Sequence, residues 1–181
     1  IYPTSSTYEK YASAFKDNIF FNEPGSAIAT VSVNYGRTTY NHTSKTTDSQ
    51  KESTRKALLN KEFRQALNFA VDRNSYSAQT NGTDGAAVAI RNTFSPYDLQ
   101  VGDKQFGKLV EESLAKTNSS TGSNVSLADS QNGLYNEEKA KAAFAKAKES
   151  LKAEGVEFPI HLDALTIQES TAVVNRVQSL K

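Results

Sequence analysis

The chain has 181 residues, a length that suits one domain or a large piece of one. Its 21 Lys and Arg against 20 Asp and Glu leave a net charge of +1, which excludes the strong basic field of a nucleic-acid or membrane-surface binder. There is no Cys, so a disulfide framework, a thiolate nucleophile and a zinc knuckle are excluded, and the apolar fraction of 37% is low, as expected where part of the burying surface lies elsewhere.

From the N-terminus, "STYEKYASAFK" places Tyr8, Tyr11, Ala12 and Phe15 on one face of a predicted helix over 6–16. "DNIFFNEPG" reads as a short strand closed by a Pro-Gly turn. In "SAIATVSVNYGRTTY", Ala29, Val31, Val33 and Tyr35 alternate with Thr30, Ser32 and Asn34, the period-two pattern of a strand with one apolar and one polar face. A polar insert at 41–54 leads into a helix that starts near Asp48 and runs to Leu59. Asn60 then suits the N-cap of a second helix, because its side chain can accept a free N–H of the first turn. Phe63, Ala66, Leu67, Ala70 and Val71 form one apolar stripe on it, flanked by Arg64, Asn68 and Asp72.

Asp72 opposes the dipole at the end of this helix while Arg73 favours it. Asp72 is read as accepting backbone N–H groups of the turn beyond, fixing how the chain leaves the helix. Residues 78–97 read mainly as loop, with "AAVAIRN" a short apolar piece, and a helix is predicted over 103–116 with Phe106, Leu109, Val110 and Leu114 inward. Residues 117–133 read as a polar surface loop. "YNEEKAKAAFAKAKESLKAEG" is the clearest helix: Asn136 caps it, Glu137 and Glu138 oppose the positive end of its dipole, and Gly155 stops it. Its expected buried face is Ala140, Ala143, Phe144, Ala147 and Leu151. "VEFPIHLDALT" reads as a strand and "ESTAVVNRVQSLK" as a final helix, giving an α/β rhythm.

The chemistry-bearing inventory is short. His42 and His161 are the only histidines, and no HExxH, GxSxG, GxGxxG or phosphate-binding Gly loop occurs. The expectation is therefore no enzyme, no metal and no cofactor. The chain begins at Ile1 and ends at Lys181 inside an apparent helix, from which it is expected to be a span of a longer protein.

The segment from Asn60 through Phe63, Arg64, Ala66, Leu67, Ala70, Asp72 and Arg73 resembles the "N-x-x-F-R-x-A-[L/I]-x-x-A-x-D-R" signature of the solute-binding proteins that serve peptide and nickel ABC transporters. "NHTSKTTDSQKEST", "FAVDRNSYSAQTNGTDGA", "GLYNEEKAKAAFAKAKESLKAEGVEFPIHLD" and "VQSLK" narrow the resemblance to streptococcal oligopeptide-binding lipoproteins of the Ami/Ali type, over nearly the whole chain. The resemblance implies an α/β fold, part of a periplasmic-binding-protein type II fold of the large peptide-binding class. Residues 1–181 would be a fragment of the C-terminal ligand-binding lobe, with a mixed sheet and flanking helices. It implies capture of extracellular oligopeptides for the subunits of an ABC permease. The lipid anchor that holds such proteins at the outer face of the cell membrane would lie outside the chain. The acidic residue that holds the peptide N-terminus, and the other lobe, would also lie outside it, so the chain alone is expected to bind peptide weakly. By the same resemblance Thr30, Ser32 and Asn34 face the cleft from the strand before the signature, and Asn92, Thr93 and Phe94 of "RNTFSPYD" stand at its mouth. A surface-interaction module, with polar loops 41–54 and 117–133 meeting a partner protein, is the alternative.

Overall fold

The computed structural model describes residues 3–20, 30–117, 126–165 and 171–180. In chain order its elements are α1 (Ser6–Tyr11), a 3-10 turn (Lys16–Asn18), α2 (Asp48–Leu59), α3 (Lys61–Ala70), α4 (Arg73–Gly85), β1 (Gln100–Val101), β2 (Lys104–Gln105), α5 (Phe106–Lys116), α6 (Glu137–Ala153) and α7 (Thr171–Gln178). The chain divides into two compact units, one from the described parts of 1–29, 72–134 and 167–181, the other from those of 30–71 and 135–166.

The second unit is a three-helix cluster whose helices are set by their caps. Thr47 and Gln50 form a reciprocal capping box at the start of α2. Asn60 closes α2 and opens α3 at once: its N–H donates to the Lys56 and Ala57 carbonyls, and its side chain accepts the Phe63 N–H. Arg64 reaches back to donate to the Leu58 and Leu59 carbonyls, which α2 leaves without intrahelical donors. Asn136 caps α6 through the Lys139 N–H, and Gly155 ends it at φ +74°, a left-handed value that costs glycine no Cβ clash. The Val156 N–H then donates to the Leu151 carbonyl, and Val156 folds into the core. That core is Ala57, Leu58, Phe63, Ala147, Leu151 and Val156, where α2 and α6 both pack on α3.

Three expectations are corrected in this unit. The stripe of α3 is wider than its period suggests: Phe63, Ala66 and Phe69 are buried, whereas Ala70 is exposed and Val71 is only the cap. Phe69 is covered because its carbonyl accepts the Asn136 N–H and the Lys139 ammonium lies over its ring. On α6, Ala140, Ala147 and Leu151 are buried as expected, but Ala143 is half-buried and Phe144 stays 39% exposed, tilted against Phe63. Finally, neither predicted strand pairs: 30–35 and 156–165 belong to no ladder among the described residues. Side chains of α2 dock the latter segment instead. Ser53 Oγ accepts the Glu157 N–H, and Thr54 Oγ1 donates to the His161 carbonyl. Alternation encodes a strand only where a neighbouring edge supplies the ladder.

In the first unit, α1 is capped by Ser5 and ends at Tyr11, short of the predicted residue 16; Tyr8 and Ala12 are half-buried, while Tyr11 and Phe15 are exposed. The predicted strand over 17–25 falls mostly outside the described residues. Residues 73–85, read in part as loop, are helical. Asp72 starts α4 with a cap that propensity does not register, and Gly82 (φ +66°, ψ 172°) interrupts it. Helix α4 packs with α7, where Arg176 Nε donates to Thr80 Oγ1 at 2.6 Å. The predicted helix over 103–116 starts later, at Phe106, because residues 100–105 form an antiparallel hairpin that turns at Gly102. Phe106, Leu109, Val110 and Leu114 are half-buried on α5, and Gly107 is fully covered. Ala86, Ile90 and Leu127 are the buried apolar side chains of this unit.

Candidate functional site

Each unit carries two arrangements of interest. In the second unit, Asp163 gathers the segment that follows residues 30–35. Its Oδ2 accepts from Arg37 Nη1 (2.6 Å), Lys45 Nζ (2.6 Å) and Thr43 Oγ1 (2.7 Å), and its Oδ1 from the backbone and hydroxyl of Ser44 (2.9 Å each). The Lys45 side chain is only 3% exposed, so its charge is held away from water by this one carboxylate. Burial pushes the Asp163 carboxyl up, but the donors from Lys45, Ser44 and Thr43 outweigh it and hold the group far below the usual carboxylate range. Arg37 adds bonds to the Thr39 and His42 carbonyls and lies over the Tyr40 ring. The carboxylate is saturated by the chain itself, so this is a clamp that fixes 37–45.

Thr30, Ser32 and Asn34 precede the clamp and are exposed. Val31, Val33 and Tyr35 are exposed as well, so the segment shows both of its faces. Asn34 Oδ1 accepts the Gly36 N–H in a local turn. The same unit has an open groove of about 860 Å³ lined chiefly by Phe63, Leu67, Tyr135, Phe144, Phe158 and Ile160, with Lys141 and Lys148. It holds none of the predicted site residues.

In the first unit, Asp72 acts beyond the turn expected of it. Oδ1 accepts the Asn74 and Ser75 N–H groups and Asn132 Nδ2 (2.7 Å), and Oδ2 accepts the Ser75 hydroxyl (2.6 Å). Burial raises this carboxyl, but the bonds from Ser75, Asn132 and Asn74 prevail and lower it. The Arg73 N–H donates to Asn132 Oδ1, so residue 132 is tied at both its amide atoms. Burial lowers the Arg73 guanidinium. The pair is a helix start and a loop anchor.

The loop of residues 91–97 is held chiefly by residues 128–131. Arg91 pairs with Asp129 Oδ2, which also accepts the Tyr97 N–H. Asn92 Nδ2 donates to the Ala128 (2.9 Å) and Gln131 (2.7 Å) carbonyls. Thr93 is buried and its hydroxyl donates to the Ser95 carbonyl. Of the three residues expected at a cleft mouth, only Phe94 projects, at 79% exposure. Asn92 and Thr93 therefore hold the loop; their side chains do not point outward as free contacts. Sequence reasoning misses Asp129, Asp163 and Asn132. Each works on residues far from it along the chain, and no local pattern marks such a partner.

Among the described residues no group of three or more His, Asp or Glu could hold a metal ion. No described helix is long and apolar enough to cross a membrane. No family model matches the chain. It is 56% identical, over its whole length, to the oligopeptide-binding protein AmiA of Streptococcus pneumoniae. It is 52% identical over 99% of its length to the oligopeptide-binding protein SarA of Streptococcus gordonii, and 41% identical over its whole length to AliB of Streptococcus pneumoniae. The chain spans 27–28% of the length of these relatives. It is thus homologous throughout to a segment of the streptococcal oligopeptide-binding proteins.

Proposed function

We propose, on this homology, that the chain is part of the substrate-binding component of an oligopeptide ABC importer, which captures extracellular peptides and delivers them to permease subunits at the membrane. The observation that carries the reading is identity of 41–56% across the whole chain to proteins named for oligopeptide binding. The chain is read as a piece of the C-terminal lobe of a type II binding-protein fold, lipid-anchored at the outer face through a segment other than this one. Helices α2, α3 and α6 then flank the lobe, and the unpaired segments 30–35 and 156–165 are where a mixed sheet forms.

A binder of many peptides cannot depend on side-chain identity, so its affinity comes from main-chain hydrogen bonds of the kind made at a sheet edge. Residues 30–34 suit such bonding, being extended in pattern, exposed and free of a ladder, with the short polar side chains Thr30, Ser32 and Asn34. The Asp163 clamp fixes the chain just after them, which lowers the ordering cost of binding. The test is a chimera in which this chain replaces the matching span of AmiA. Isothermal calorimetry should show peptide binding by the chimera, weakened about tenfold by S32A/N34A with no change in melting temperature. Unchanged affinity across several peptides removes the Ser32 and Asn34 side chains from the site, and no binding by the parent chimera refutes the function.

A further inference from the structure

The apolar groove of about 860 Å³ lies wholly within the second unit, so one set of contacts fixes its walls. Leu67 and Ala70 of α3 line it, as does Phe144 of α6, and Phe158 and Ile160 form a third side. Ala70 is exposed and Phe144 is 39% exposed, although each continues the apolar stripe of its helix. Lys141, Phe144 and Lys148 fall at i, i+3 and i+7, one line along α6. Glu137 pairs with Lys141 at 3.4 Å. Lys148 meets the Phe158 ring at 5.8 Å and no carboxylate among the described residues. The groove is thus apolar within and carries an uncompensated cation on its rim.

An exposed apolar surface of this extent marks a place of contact. A small ligand suits it poorly, because an open groove covers one side of its occupant, whereas small-molecule sites enclose most of theirs. A segment of the same polypeptide can have its other side covered by the rest of the fold, and its tether holds it at high effective concentration. The homologous proteins are long enough to supply one, since this chain spans 27–28% of their length. The Lys148 ammonium sets the chemistry of one flank: a carboxylate there would meet it beside a surface that excludes water, where charges attract more strongly.

We propose that the groove between α3 and α6 is the seat of an apolar segment of the longer polypeptide, outside residues 1–181, that places an acidic residue opposite Lys148. The groove is then a joint in the assembly of the whole protein and not a peptide site. The inference rests on the homology alone and stands apart from the peptide-binding reading.

The experiment uses the chimera without peptide, carrying Phe144→p-benzoylphenylalanine as a photo-crosslinker at the rim. Irradiation and mapping should join residue 144 to an AmiA-derived segment of the same molecule that holds apolar residues and an Asp or Glu. Crosslinks confined to residues 1–181, a covalent dimer, a crosslink formed only to added peptide, or no crosslink each overturn the proposal. In a chimera cleared of other Cys, A70C should react with a thiol reagent at least about tenfold more slowly than E149C, an exposed position outside the groove. Equal rates overturn the proposal whether or not peptide binds. K148E should raise the A70C rate at least about threefold, and no change overturns the acidic partner. Protection of A70C in a chimera that binds no peptide leaves this inference standing and removes the peptide-binding reading instead.

Discussion

Replacing Asp163 with Asn tests whether the clamp holds residues 37–45. The substitution keeps shape and removes charge. Two cations meet one oxygen at 2.6 Å, and one of them, Lys45, has a 3% exposed side chain. Asn cannot serve both halves of the cluster. If its oxygen faces Lys45 and Arg37, its NH₂ faces the Ser44 N–H; if reversed, the NH₂ faces two cations. Adding the five hydrogen bonds at about 1 kcal/mol when neutral and about 2 kcal/mol when charged overstates the loss, since Ser44 is exposed and water replaces part of it. The controlling effect is the stranded Lys45 ammonium, and one-sided removal of a buried ion pair costs about 3–5 kcal/mol. Amide exchange reads it directly: Ser44, whose N–H donates to Asp163, should lose protection, and the core amides of Ala57 and Leu151 should lose it by the same free energy if the clamp is part of that unit's cooperative fold. The pH dependence has a defined sign. A depressed folded-state carboxyl contributes its full stability above the ordinary value near about pH 4, and loses it as pH falls from there toward the folded value. The parent should therefore lose stability below about pH 4 in excess of D163N, with the difference constant above it. A destabilisation under about 1 kcal/mol with Ser44 protection intact would refute the reasoning.

Asp72→Ala should cost about 2 kcal/mol, the upper range for a helix cap, because it also frees Asn132; amides of Asn74, Ser75 and Tyr76 should exchange faster, and D72N should recover most of the loss. Gly107→Ala forces the Tyr97 ring away from a Cβ placed 1.9 Å from it, at about 1–3 kcal/mol by thermal unfolding, and Y97A in the same chain should relieve part of that cost.

Local signals are legible in this sequence and distant ones are not. Helix α2 runs from Asp48 to Leu59 as expected, and Asn60, Asn136 and Gly155 act where they stand, because a cap bonds within three or four residues of itself. Asp72 is legible as an acceptor of N–H groups beyond the helix, but the helix it starts is hidden by the Asn, Thr and Gly of 74–85. The expected strands at 30–35 and 156–165 rest on alternation alone. That pattern reports which faces are apolar and leaves open whether a neighbouring edge exists. Period places Phe144 inward, yet its size leaves it astride the rim of α6 against Phe63. Of the candidate site, Phe94, Thr30, Ser32 and Asn34 are exposed, while Asn92 is spent on the Ala128 and Gln131 carbonyls and Thr93 on that of Ser95. Asp163 acts across more than a hundred residues on Arg37 and Asp129 across dozens on Arg91, separations over which sequence carries no spacing rule.

The joint at Asn60 bears on how such a chain can drift. With one residue ending α2 and beginning α3, no spare length separates the helices. A residue inserted just after Asn60, with that cap kept, would join the first turn of α3 and rotate the rest of the helix by about 100° relative to the cap, carrying Phe63 and Ala66 off α6. Substitution at the joint is graded in its harm, whereas a change of length is all or nothing. Insertions and deletions are thus filtered toward the polar stretches between elements, and the register from Thr47 to Ala70 is inherited as a block.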